Sequence, residues 1–180
     1  AAVGGAVALG AIAAPAPAAT VTINTAVNGT QFIGGGDDLV IEASGSITAP
    51  GSGTGDDGVR ESAPGASIGS INNAGSITAD DSGIGVDTGA TVGDISNSGS
   101  ISADFVGVDL FSATMNGNIT NSGSIEGGLV GISAVSSTVN GAIQNQTGGT
   151  VSGSGFAGNQ LSGASVSNGI INADNMTNVF

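Results

Sequence analysis

The chain contains no cysteine, histidine, lysine, tryptophan or tyrosine, and its single basic residue is Arg60. Without histidine, lysine or cysteine there is no general base poised near neutral pH, no activated amine and no thiolate nucleophile. Only carboxylates and hydroxyls remain, which removes most enzyme mechanisms. The lack of cysteine also rules out disulfides and thiolate metal sites, while leaving the redox compartment open. One base against fourteen acidic residues gives a formal net charge of −13. Such a chain repels a phosphate backbone, because affinity for nucleic acid rests on Lys and Arg neutralising phosphates. An anionic membrane surface is excluded for the same reason.

Charge is scarce too, at 8% of residues, yet mean hydropathy is positive at +0.31. A disordered chain shows the reverse pattern, poor in aliphatics and rich in charge. What fills the 180 residues is Ile, Val and Leu, separated by Ser, Thr, Asn and 34 glycines. This is the composition of many short strands joined by tight turns, at a length suited to one domain.

Ala1 to Ala14 form an uncharged apolar run, followed by Pro15-Ala16-Pro17-Ala18-Ala19. The run has the character of a secretory h-region, and Ala16-Pro17-Ala18 suits a small-residue cleavage site. It is too short and glycine-rich for a transmembrane helix, so no direct membrane span is expected. Two readings stay open: a signal remnant, or an ordered assembly tail that needs a partner surface. Both imply export, to the extracellular space or cell surface. The domain division is therefore 1–19 as the apolar segment and 20–180 as a single folded domain.

An internal repeat governs that domain. Gly69-Ser-Ile-Asn-Asn-Ala-Gly-Ser-Ile77 returns as Gly93-Asp-Ile-Ser-Asn-Ser-Gly-Ser-Ile101 and as Gly117-Asn-Ile-Thr-Asn-Ser-Gly-Ser-Ile125. Ile71, Ile95, Ile119 and Ile143 recur at one constant spacing of about 24 residues, and Ile170 follows slightly late. A second column holds Ile77, Ile101, Ile125 and Val151; a third aligns Ile84/Val86 with Val106/Val108 and Val130/Ile132. A fourth holds Ile68, Val92, Met115, Val139 and Val166. The paired aliphatics show the period of two that turns both side chains inward on a strand. Glycine at nearly every fourth residue and the absence of a helical period exclude a helical solenoid. The expected fold is all-β: a right-handed parallel β-helix, or β-solenoid, three-sided, with about 24 residues per coil and roughly seven coils. A structural ladder is expected from Asn73, Asn97, Asn121, Asn145 and Asn172, each two positions after a column isoleucine. Stacked carboxamides can pass hydrogen bonds from coil to coil, and asparagine also tolerates the left-handed geometry of bends.

The repeated I-x-N-x-G-S-I unit, clearest over Gly93–Ile101 and Gly117–Ile125, resembles the β-helical passenger regions of bacterial autotransporters and related surface proteins. The resemblance implies a secreted, surface-exposed and often adhesive protein, with surface glycans or proteins as partners. The membrane barrel of that family, and the alternating strands that build one, do not appear in this sequence.

Four aspartates are candidate weak Ca²⁺ ligands: Asp80 with Asp104, each three positions after a column isoleucine, and Asp87 with Asp109, each after an inward valine. Like charges stacked at strand spacing repel, and calcium relieves that repulsion; solvated turn carboxylates are the simpler reading. Gly34–Ile41 partly matches a calcium-repeat pattern, in one copy with altered spacing. Asp80, Asp81 and Asp104 could form a glycosidase-like carboxylate cluster, but no aromatic platform or neighbouring base accompanies them, so no catalysis is expected. Thr20-x-Thr22 lacks the repetition of an ice-binding face. Phe105 with Leu129, and Phe111 with Val135, occupy equivalent outward or corner positions, a candidate contact strip for residues 1–14 of the same or another subunit.

Neither end of the repeat carries a capping helix or proline block, and open strand edges template pairing. The expectation is a secreted homopolymer, stacked end to end into a filament. The alternative is an adhesin-type passenger fragment, and below it a polysaccharide-active enzyme.

Overall fold

A computed structural model describes residues 17–51, 55–61, 63–155 and 157–176. Every strand pairing is parallel, and no helix occurs among the described residues. The chain winds as a β-solenoid of about six turns: two sheets have seven strands, one has six and one has five. Seven stacked strands on one face bound six full turns, which is why the turns number about six where seven were expected. The coil repeat is constant where Ile71, Ile95, Ile119 and Ile143 stand opposite one another. Two coils are longer, one running from Leu39 to its partner Ile71 and the other from Ile143 to its partner Ile170.

One regular coil shows how sequence becomes shape. Ile95–Asn97 lies on face A, Ser100–Ala103 on face B, Val106–Phe111 on face C and Thr114–Met115 on face D. The fourth column is therefore a sheet of its own, with very short strands, and the coil has four strand segments where three were expected. Alternation places Ile95 and Asn97 inside and turns Ser96 outward; Ile101 and Ala103 likewise point in, with Ser102 out. Successive coils stack like on like, so Ile71, Ile95, Ile119 and Ile143 are all fully buried and form one continuous core with the Ile77, Ile101 and Ile125 column. Each buried isoleucine contributes on the order of 2 kcal/mol.

On face C the register differs from the sequence alignment. Ile84 stands opposite Val108 and Val86 opposite Leu110, while Val106 faces Ser82. The shift is two positions. A slip of two keeps every side chain on the same face of the strand, so hydrophobic pattern alone does not detect it.

The asparagine ladder runs as expected through four steps. Nδ2 of Asn73, Asn97 and Asn121 each donates to Oδ1 of the next asparagine at 2.8 Å, and Asn145 donates to Asn172 at 3.1 Å. Each amide also donates across the corner, as Asn73 does to the Ser100 carbonyl at 3.0 Å and Asn97 to the Ser124 carbonyl at 2.9 Å. These asparagines close the face A strands in extended geometry; the non-glycine residues with positive φ are Ser112 and Ser136, among the described residues. Asn73, Asn97, Asn121 and Asn145 are buried, and Asn172 is exposed.

The glycine of the repeat has its own cause. A Cβ on Gly99 would enter the carbonyl oxygen of Gly75 in the coil below, and one on Gly123 would enter that of Gly99. The corner is thus too tight for a side chain, and the motif needs Asn to bridge coils and Gly to let them approach.

Candidate functional site

The departure from the regular period marks the chemically distinct part of the molecule. Between the strands Ser46–Ala49 and Val59–Glu61, the long second coil inserts a glycine- and aspartate-rich stretch, of which residues 50–51 and 55–58 are described. Carboxylates of the next coil hold it: the Gly51 N–H donates to Asp80 Oδ2 at 2.8 Å, and the Gly55 N–H to Asp81 Oδ2 at 2.5 Å. In return, the Ser82 N–H donates to Asp57 Oδ1 at 3.1 Å.

Arg60, the only base, stands outward on face C at this point. Its Nη1 lies 3.3 Å from Asp57 Oδ2, and its Nη2 is paired with Asp87. Gly55, Asp57, Asp81, Ser82, Asp87 and Asp109 surround it in a polar cleft of about 260 Å³. Gly85, beside Arg60 in the sheet, keeps the floor open, since a Cβ there would run into the Asp57 carboxylate.

Asp57 is 5% exposed, and burial pushes its pKa up to about 6, against the lowering pull of Arg60 and the Ser82 N–H. Burial likewise raises Asp109, opposed by a hydrogen bond from Ser133. Asp38, at the opposite corner, is lowered because the Ser70 N–H and hydroxyl both donate to it.

The predicted aspartates divide on this geometry. Asp80 and Asp104 do occupy the same place on consecutive coils, their N–H groups donating to the Ala49 and Ala79 carbonyls at 3.2 and 3.1 Å. The Asp80 carboxylate is engaged with Gly51, whereas Asp104 is exposed. Asp87 and Asp109 are not equivalent: Asp109 stands opposite Gly85, so the two carboxylates are offset along the strand. The pairing failed with the two-position slip on face C, although both aspartates do line the Arg60 cleft. Among the described residues no three acidic side chains are arranged to hold a metal ion.

The four residues of the candidate contact strip stand in the expected register. Phe111 pairs with Val135, and the Leu129 N–H donates to the Phe105 carbonyl at 2.9 Å. Phe105 and Phe111 are 51% and 47% exposed, while Leu129 and Val135 are half-buried. Phe32, 62% exposed, lines a groove of about 550 Å³ together with Phe111, Ala63 and Pro64 and the charged Arg60, Glu61 and Asp87. Sequence reading missed Phe32; its signal was the outward position next to inward Ile33. It also missed the Asp57–Arg60 pair, which lies in the stretch where the repeat alignment breaks. The predicted occupant of the strip, residues 1–14, falls outside the described residues.

No helix among the described residues is long and apolar enough to cross a membrane. No family model, curated protein or solved structure matches this chain.

Proposed function

We propose that the chain is a secreted structural β-solenoid, without catalytic activity, whose copies stack end to end into an extracellular or cell-surface filament. The observation that carries the reading is the continuity of its parallel ladders from the first coil to the last. Among the described residues, Thr20–Ile23 is unpaired on one side, as is Ile170–Asn172 at the other end of the same sheet. Core side chains stand partly open there: Ile170 and Val166, whose equivalents Ile143 and Val139 are fully buried, are only half-buried. Another coil placed on that edge would satisfy its backbone groups and bury those aliphatics. Neither edge strand contains a charged residue, so the net charge of −13 is not concentrated where copies would meet. In this reading residues 1–19 lock neighbouring subunits together.

The exposed aromatics Phe32, Phe105 and Phe111 favour a second reading, an adhesin-type passenger that meets a surface partner through face C. Sedimentation velocity of the full chain over a hundred-fold concentration range separates the two. A growing series of polymers is expected from the filament; a single slow species at every concentration overturns it. Deleting residues 1–19 tests the tail alone: unchanged polymer of unchanged stability removes its locking role.

A further inference from the structure

The outer side of the corner between faces A and B carries a feature that neither assembly nor the Arg60 cleft uses. A groove of about 510 Å³ runs there along the solenoid axis, crossing five consecutive coils from Glu42 to Gln146. Its floor is the backbone over the asparagine ladder, the most regular part of the molecule. One wall is the outward row of face A, where Asn72, Ser96 and Thr120 stand in register. The other is the turn row, with Ser98, Ser122 and Gln146.

Three properties limit what fits. The lining is neutral apart from Glu42 at one end, and its outward side chains mix hydroxyls and carboxamides with the apolar Val40, Ala43 and Ala74. Much of its hydrogen-bonding capacity is unspent: among the described residues the Ser96, Thr120 and Gln146 side chains have no hydrogen-bond partner. The Ser98 and Ser122 hydroxyls reach backbone carbonyls only at 3.4 and 3.5 Å. Finally, on three consecutive coils in each row the polar groups repeat at the coil spacing, about 4.8 Å. An extended β-1,4-linked glycan advances by nearly the same distance per sugar, and each ring presents hydroxyls that both donate and accept. An extended peptide advances about 3.3 Å per residue and falls out of step with the coils. An anionic polymer would meet the field of a molecule carrying −13.

We infer that this groove binds a neutral, extended β-1,4-linked glycan along the solenoid axis, one sugar to each coil. The inference is independent of end-to-end stacking, since the groove lies on the flank of the rod. No aromatic side chain lines it, so each sugar contributes little and affinity accumulates with length.

Calorimetric titration of the full chain with cello- and chito-oligosaccharides of two to six sugars tests this. Affinity is expected to rise with each sugar and to level off at about five, the number of coils crossed. Replacing Ser96→Arg together with Thr120→Arg fills the groove from two adjacent outward positions and is expected to weaken hexasaccharide binding at least ten-fold. Ser102→Arg, outward on face B, leaves it unchanged, and circular dichroism confirms that both variants keep the strand signal. No binding of either hexasaccharide at millimolar concentration overturns the inference. So does affinity independent of length, or a groove variant that binds like the parent. Binding of an extended neutral peptide in place of the sugars overturns it as well.

Discussion

The coils from Ile71 to Asn145 and the coil before them are built from the same kinds of residue but behave differently. In the regular coils the repeat length is constant and each inward corner position is an asparagine. Among the described residues, no ion pair joins two side chains of those coils. In the long coil the ladder position is Ile41, preceded by Ile23, and the insertion at 50–58 brings Asp57 beside Arg60. Asn73 marks the boundary: its Oδ1, facing Ile41 where another amide would stand, accepts instead from the Gly75 N–H at 3.2 Å. Repetition thus supports a buried polar stack only where every member has a neighbour. Where periodicity lapses, the corner turns apolar and ionisable groups gather on the neighbouring face, Asp57 and Glu61 among them buried.

Breaking the regular side gives the largest effect. Asn97→Ala removes an acceptor from Asn73 and a donor from Asn121, both buried, and is expected to cost about 4 kcal/mol in denaturant unfolding. Gly99→Ala forces a methyl group into the Gly75 carbonyl, which the stacked coil cannot move, and should cost about 3 kcal/mol. A melting temperature indistinguishable from the parent's for either variant would mean that the corner is looser than described.

The irregular side responds through pH. Asp57 has its folded pKa raised from 3.8 to about 6, so the folded state holds a proton that the unfolded state has released between those values. Stability contributed by this group is therefore full below about 3.8, falls as pH rises toward 6, and is flat above. Asp109, raised for the same reason, adds to the same slope. In Asp57→Asn the fall should be shallower, measured as unfolding midpoint against pH; an unaltered profile would mean that the carboxylate is not buried in solution. The smallest effect belongs to Arg60→Gln, about 1 kcal/mol at neutral pH, since the guanidinium is partly exposed. This variant should also move the Asp57 transition to higher pH, because the pull that opposes burial is gone.

Most of the architecture is legible in the sequence wherever equivalent residues fall at one spacing. Ile71, Ile95 and Ile119 define face A, Ile77, Ile101 and Ile125 face B, and the ladder asparagines stack as their spacing implies. The slip on face C is not legible, because Val106 and Val108 are both plausible inward partners for Ile84 and parity does not separate them. Nor is the Arg60 cleft, whose members come from three coils and meet only because Gly51, Gly55 and Asp57 of the inserted stretch are hydrogen-bonded to the next one. Stacking of Asp80 on Asp104 could be read directly; that Asp80 is occupied by the Gly51 N–H could not, since the donor lies in the insertion.

The central claim is that this solenoid continues from one copy into the next. Cryo-electron microscopy of the purified full chain tests it most directly. The account predicts filaments in which the coil spacing of about 4.8 Å runs unbroken across every subunit boundary. Isolated rods about 30 Å long, one solenoid of about six turns each, would contradict it.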